Sequence, residues 1–296
     1  MLLAVTPRAT GLTEAPRLAA VYESILDAEF DRTEVQLAAA CPPAPQPACD
    51  ALRAEAVWWQ IVINPETHAL DSRLSALAAS AITSNGAWVE REPARAEAWF
   101  YLAGAYTPLM QLRVLRGERL SAARDGRKIK DALEHALELD PSLADAHLGI
   151  GLYHYYADVA PLYAKFLRWL LWLPGGDRVK GLKEILAARE HSAILASEAD
   201  FQLQQIYLWY ENRWKDALAL LESLDARYPH NPVFLERIAD IDDVYGHDVD
   251  ASIAAWEEVR DRAREHRVFD ATIVEARADQ KLRQARARRA KSDRVF

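Results

Sequence analysis

Apolar residues along this chain recur three and four positions apart, the spacing of one face of an α-helix, and no segment sustains the two-residue alternation of a strand. Leu18, Val21, Tyr22, Ile25 and Leu26 share a face after Thr13, a hydroxyl N-cap candidate, and Pro16, whose missing amide hydrogen is harmless in a first turn. A break near Asp31 precedes a second helix carrying Val35, Leu37, Ala38 and Ala40. A third helix runs from Ala51 through Val57 and Ile61 to Asn64-Pro65, and a fourth runs from about Asp71 through Leu74 and Ile82 to a stop before Pro93. Two more, from Pro93 to Arg116 and from about Leu120 to Asp140-Pro141, form a hairpin, with Pro108 expected to kink or end the first.

The chain is organised around 98–158. There Ala132-Leu-Glu-His-Ala-Leu-Glu-Leu-Asp-Pro141 reads as a helix with a proline stop. The next helix, Ala146 to Tyr155, carries Gly149 and Gly151, which admit a close neighbour. Phe201, Gln205 and Leu208 then pair with Ala217, Leu221, Leu224 and Pro229 across the turn Glu211-Asn-Arg-Trp214. A weaker pair follows: Leu235, Ile238 and Ala239, then Gly246 at the turn, then Ala251, Ile253 and Trp256. The last helix, from about Asp270, loses its apolar stripe after Leu282.

Trp99, Leu102, Ala103 and Tyr106, followed by Leu133, Ala136 and Pro141, resemble the tetratricopeptide repeat (TPR) pattern, with about fourteen extra residues between the halves. The resemblance is closest at 201–229 and extends less sharply to the other hairpins. Leu173-Pro-Gly-Gly-Asp-Arg178 with Gly181-Leu182 also resembles a short signature of a eukaryotic tetratricopeptide family linked to inclusion-body clearance and lipid droplets, over too few residues to carry function. The resemblance implies an all-α fold, a right-handed superhelical solenoid of about six helical hairpins. It implies one solenoid over 13–296, with inserted helices at about 159–192 and a basic tail at about 283–296; residues 1–12 read as disordered or as the remnant of a leader. The function implied is a non-catalytic scaffold whose concave face offers Trp99, His147, His154, Tyr155 and Phe201 to a protein or peptide.

Composition fits: apolar residues make up 51% and glycines number only 11. Charge adds an asymmetry. From Lys281 to Phe296 seven basic residues face one acid, giving +6, which leaves −14 on the rest of a chain whose net charge is −8. So acidic a body disfavours a nucleic-acid partner, and the tail reads as a solvated cap. Cys41-Pro-Pro-Ala-Pro-Gln-Pro-Ala-Cys49 closes a short loop that a disulfide would fit in an oxidising compartment, while two free thiols are the alternative. Localisation therefore stays open between cytoplasm and periplasm, with the periplasm favoured if the thiols are bridged and a leader lies upstream. No run of about twenty apolar residues is present to span a bilayer.

Chemical motifs are sparse. Gly176-Asp-Arg-Val-Lys-Gly-Leu182 has phosphate-loop glycine spacing without the lysine and hydroxyl that must follow. Asp240-Ile-Asp-Asp-Val-Tyr-Gly246 fails as a calcium loop, because Ile241 and Ser252 fall on its first and closing positions. The eight histidines form no metal-ligand set, and neither a catalytic triad nor a carboxylate pair is legible, so no metal, cofactor or enzymatic site is expected. The aromatic stretch 153–172 has three readings: burial against the solenoid, a peptide or apolar-ligand groove, or a membrane-surface helix with Lys165 and Arg168 at the headgroups and Trp169 and Trp172 inserted. The last gives a competing function, an envelope-associated accessory protein binding a small apolar ligand or a membrane surface.

Overall fold

The computed structural model describes residues 11–159 and 175–292, with side chains to 290. Thirteen α-helices and no strand occur among these residues. They are α1 Ala15–Leu26, α2 Phe30–Ala40, α3 Gln46–Ile63, α4 Asp71–Arg91, α5 Ala96–Leu115, α6 Arg119–Leu139, α7 Ala144–Val159, α8 Arg178–His191, α9 Ala196–Trp209, α10 Trp214–Arg227, α11 Pro232–Ile241, α12 Val249–Arg264 and α13 Ala271–Ser292. A π-turn, Asp242–Gly246, follows α11.

Contacts divide the chain into two units. The first takes the chain up to Tyr22, Glu34–Trp58 and His68–Ala199; the second takes Glu23–Thr33, Trp59–Thr67 and the chain from Asp200. In the first unit α4 packs on α5, α5 on α6, α6 on α7 and α7 on α8. In the second, α10 packs on α11, α11 on α12 and α12 on α13. Neighbours in sequence are neighbours in space, because short connections leave each helix no other place to bury its apolar face.

Small residues set the spacing in the first unit. Ala51, Ala81 and Ala105 meet where α3, α4 and α5 touch. The α7–α8 pair is tighter still: a Cβ at Gly151 would lie 2.8 Å from the Gly181 carbonyl oxygen and 2.9 Å from the Ile185 amide nitrogen, and one at Gly181 would meet Gly151 as closely. The close approach expected at Gly151 is thus present, and Gly181 is its counterpart. In the second unit Trp59, Phe201, Phe234 and Tyr228 interlock edge-to-face and tilted, with centroids 4.9 to 6.1 Å apart.

Two local expectations change. Thr13 does not cap α1; its amide and hydroxyl both donate to the Glu97 carboxylate, at 2.7 and 2.9 Å. Pro108 does not end α5 early, since the helix continues to Leu115 with the ring buried. The price is one missing hydrogen bond, to the Gly104 carbonyl. Helix α13 extends to Ser292, and Ala285 is its last buried residue before the exposed 286–290.

Candidate functional site

One turn recurs at 92–95, 140–143, 192–195 and 228–231, each between the end of one helix and the start of the next. In all four the first residue donates its amide back into the preceding helix: Glu92 to Trp88, Asp140 to Ala136, Ser192 to Ala188 and Tyr228 to Leu224. Pro93, Pro141 and Pro229 hold the same place in three of them, and each following helix starts three residues after the proline. The reason is local: a proline cannot extend the helix before it and its predecessor is driven to extended backbone.

Buried acids tie these turns together in the first unit. Asp145, 2% exposed in the first turn of α7, accepts the amides of Ala193, Ile194 and Leu195, each at 2.9 Å. Glu97, in the equivalent place on α5, holds Thr13 and pairs with Arg95 at 2.7 Å, while Asp140 accepts the Gly11 amide. Neither acid stands out in sequence, where each resembles an ordinary solvated first-turn carboxylate.

The exposed sides of α5 and α7 carry most of the predicted partner-binding residues. Trp99 and His147 occupy corresponding positions: Trp99 Nε1 donates to the Pro93 carbonyl at 2.8 Å, and His147 Nε2 stands 3.3 Å from the Pro141 carbonyl. The Trp99 ring meets His135 of α6 edge-on at 4.4 Å. His154 Nδ1 lies 2.6 Å from Glu184 of α8. Lys128 sits over the Tyr106 ring and Lys130 over the Tyr153 ring, 4.7 and 5.6 Å from their centroids. These half-buried rings and imidazoles are held in place by neighbours while keeping part of their surface open.

Two predicted residues do not belong to such a surface. Tyr155 is fully buried beneath the α7–α8 contact, with the Gly181 Cβ position 2.6 Å from its amide nitrogen. Phe201, 5% exposed, fills the Trp59–Phe234 cluster with Arg237 over its face at 4.8 Å. Both are core rings. Lys165, Arg168, Trp169 and Trp172 lie outside the described residues. Cys41 and Cys49 are joined in a disulfide with their Cα atoms 6.4 Å apart.

In the second unit the basic end of the chain is laced to acids. Lys281 pairs with Asp240 at 2.7 Å, Arg286 with Glu257 at 2.5 Å, Arg289 with Asp250 at 3.0 Å, and Arg288 with Asp243. The described part of the tail is exposed, as expected for a solvated charged end, and its cations form surface ion pairs in which Asp240 and Asp243 are among the counter-ions. Deeper in the same interface Arg277 donates twice to Glu236, at 2.7 and 2.9 Å, and once to the Ile63 carbonyl. Burial outweighs this partner and raises the Glu236 carboxyl to about 7; burial likewise lowers the Arg237 guanidinium to about 10.

The fold also gathers Asp27, Glu29 and His230, whose ligand atoms lie within 4.8 Å of one another. Separation by 203 residues hid this group from sequence reasoning. Its donors are already engaged, since Asp27 accepts both the His230 amide and Nδ1, and Glu29 pairs with Arg32 at 2.6 Å. Among the described residues no helix is long and apolar enough to cross a membrane. Compared with known proteins, the chain matches no family model and no curated protein.

Proposed function

We propose that this chain is a non-catalytic protein- or peptide-binding scaffold of the tetratricopeptide type, a right-handed superhelix of helical hairpins. In it α5 and α7 serve as partner-facing helices and present Trp99, His147 and His154. The observation that carries the reading is the fourfold recurrence of one inter-hairpin turn, at 92–95, 140–143, 192–195 and 228–231, between helices packed in sequence order. Repetition of this kind builds extended surfaces from side chains fixed on rigid helices, and such pre-organisation lowers the entropic cost of docking. Selection of a displayed random-peptide library on the purified chain tests the proposal. A convergent motif is expected, with binding weakened about thirtyfold by Trp99→Ala/His154→Ala in calorimetry. Failure to converge, or equal affinity for the variant, would exclude this surface.

The Cys41–Cys49 bridge favours the envelope as the setting for this scaffold, because disulfides persist in oxidising compartments. Under that reading the protein recovered from its native compartment shows no free thiol on alkylation without reductant. Two alkylated cysteines would place it in a reducing one.

A further inference from the structure

In the second unit the α9–α10 turn and the π-turn between α11 and α12 lie side by side, since a Cβ on Gly246 would stand 4.0 Å from the Trp214 ring. Together they bare a largely aromatic surface. Trp209 is 57% exposed, Tyr210 42% and Val244 57%, and Trp214 is half-buried where the turns meet. Large apolar side chains left in water on adjoining turns mark an interaction surface, which a single exposed residue does not.

The charge around this surface is not balanced. Arg213 pairs with Asp216, Arg288 with Asp243 and Arg289 with Asp250. Three carboxylates are left over: Glu222, about two turns along α10 from Trp214, and Asp242 and Asp248 at the two ends of the π-turn. Asp248 caps α12 through the Ala251 amide, but none of the three has a cationic partner among the described residues. Burial and the neighbouring charges of Asp248 and Glu222 hold the Asp242 carboxyl above the usual carboxylate range, with no cation to oppose them. Lys215 lies over the Trp214 ring, 5.4 Å from its centroid.

We infer that this surface docks a cationic peptide segment, whose arginine or lysine side chains lie on the exposed rings and pair with Glu222, Asp242 and Asp248. The face of an indole attracts a guanidinium or ammonium group, and Lys215 already takes such a place on Trp214. The same acids repel a lipid phosphate or a nucleic acid. Nor do they converge on one metal ion: among the described residues, the group of metal-ligating side chains with atoms within 4.8 Å of one another is Asp27, Glu29 and His230. The surface belongs to a different unit from α5 and α7, so the inference does not rest on the partner assigned to that face.

Fluorescence anisotropy of a labelled hexa-arginine peptide titrated with the full chain tests the inference, beside a hexa-glutamine peptide. Saturable binding is expected of hexa-arginine only, weakening as salt is added. Glu222→Gln/Asp242→Asn should weaken it about tenfold, the equivalent of two exposed charge pairs, and Trp214→Leu about threefold, with circular dichroism unchanged in both. Glu138→Gln/Glu190→Gln removes two exposed acids of the first unit and should bind as the wild type does, as should Trp99→Ala/His154→Ala. Failure of hexa-arginine to bind would overturn the inference. So would equal weakening by Glu138→Gln/Glu190→Gln, which would assign binding to net charge, or weakening by Trp99→Ala/His154→Ala alone, which would assign it to α5 and α7. Should a variant lose helix, cross-linking of the wild type to a photoreactive hexa-arginine decides: labels are expected within 209–222 and 242–248, and labels confined elsewhere overturn the inference.

Discussion

At the scale of single residues, the chain places charge where burial is costly and compensates it with specific partners. Burial raises the folded Glu236 carboxyl to about 7, against 4.5 for an unburied glutamate. The folded state therefore binds more protons between those values, and stability falls as pH rises through that window. Relative to Glu236→Gln, which does not titrate, the wild type should lose up to about 3 kcal/mol between pH ~4.5 and pH ~7, read from urea midpoints. An identical pH profile in both proteins would refute the assignment. Asp145→Ala strips three amides, one buried and two part-buried, of their acceptor and should destabilise the first unit on the order of 3 kcal/mol in urea unfolding. Little of this was legible beforehand. Arg277 lies 41 residues from Glu236 and His230 lies 203 from Asp27, while local pattern shows only a charged residue on a helix.

At the scale of elements, helix contact is governed by what has been left off the side chains. Gly151→Ala drives a methyl group into the Gly181 carbonyl and the Ile185 backbone, neither of which can rotate away. A loss of about 1–3 kcal/mol is expected. Gly86→Ala, in the interior of α4 with nothing near its Cβ position, should instead gain about 0.5–1 kcal/mol by relieving backbone entropy. Thermal unfolding of the two variants in parallel separates packing from propensity; equal shifts would show that the α7–α8 approach is not tight. Elements were the most readable level. Phe201, Ala217, Leu221 and Leu224 mark α9 and α10 because apolar spacing and the short polar turn agree. Pro108 misled, because its ring is accepted inside a helix whose neighbours bury it. Tyr155 and Phe201 misled for another reason: periodicity locates a helical face without saying whether it meets solvent or a neighbour.

At the scale of the whole molecule, an all-helical chain with sequential packing is what the period of its apolar residues dictates, and the recurring turn adds a repeated punctuation that single helices do not require. Charge is distributed to the same end. The basic end of α13 meets acids of α11, α12 and the π-turn, and the basic stretch 113–130 is likewise met by acids, Arg113 by Asp125, Arg116 by Asp71, Arg127 by Asp131 and Lys130 by Glu134.

The most direct test of the scaffold reading is a hydrogen-exchange footprint of a library-selected peptide on the full chain. The account predicts slowed exchange along α5 and α7, around Trp99, His147 and His154, and no such protection when the peptide is added to Trp99→Ala/His154→Ala. Protection confined to other helices, or a footprint unchanged by the substitutions, would contradict it.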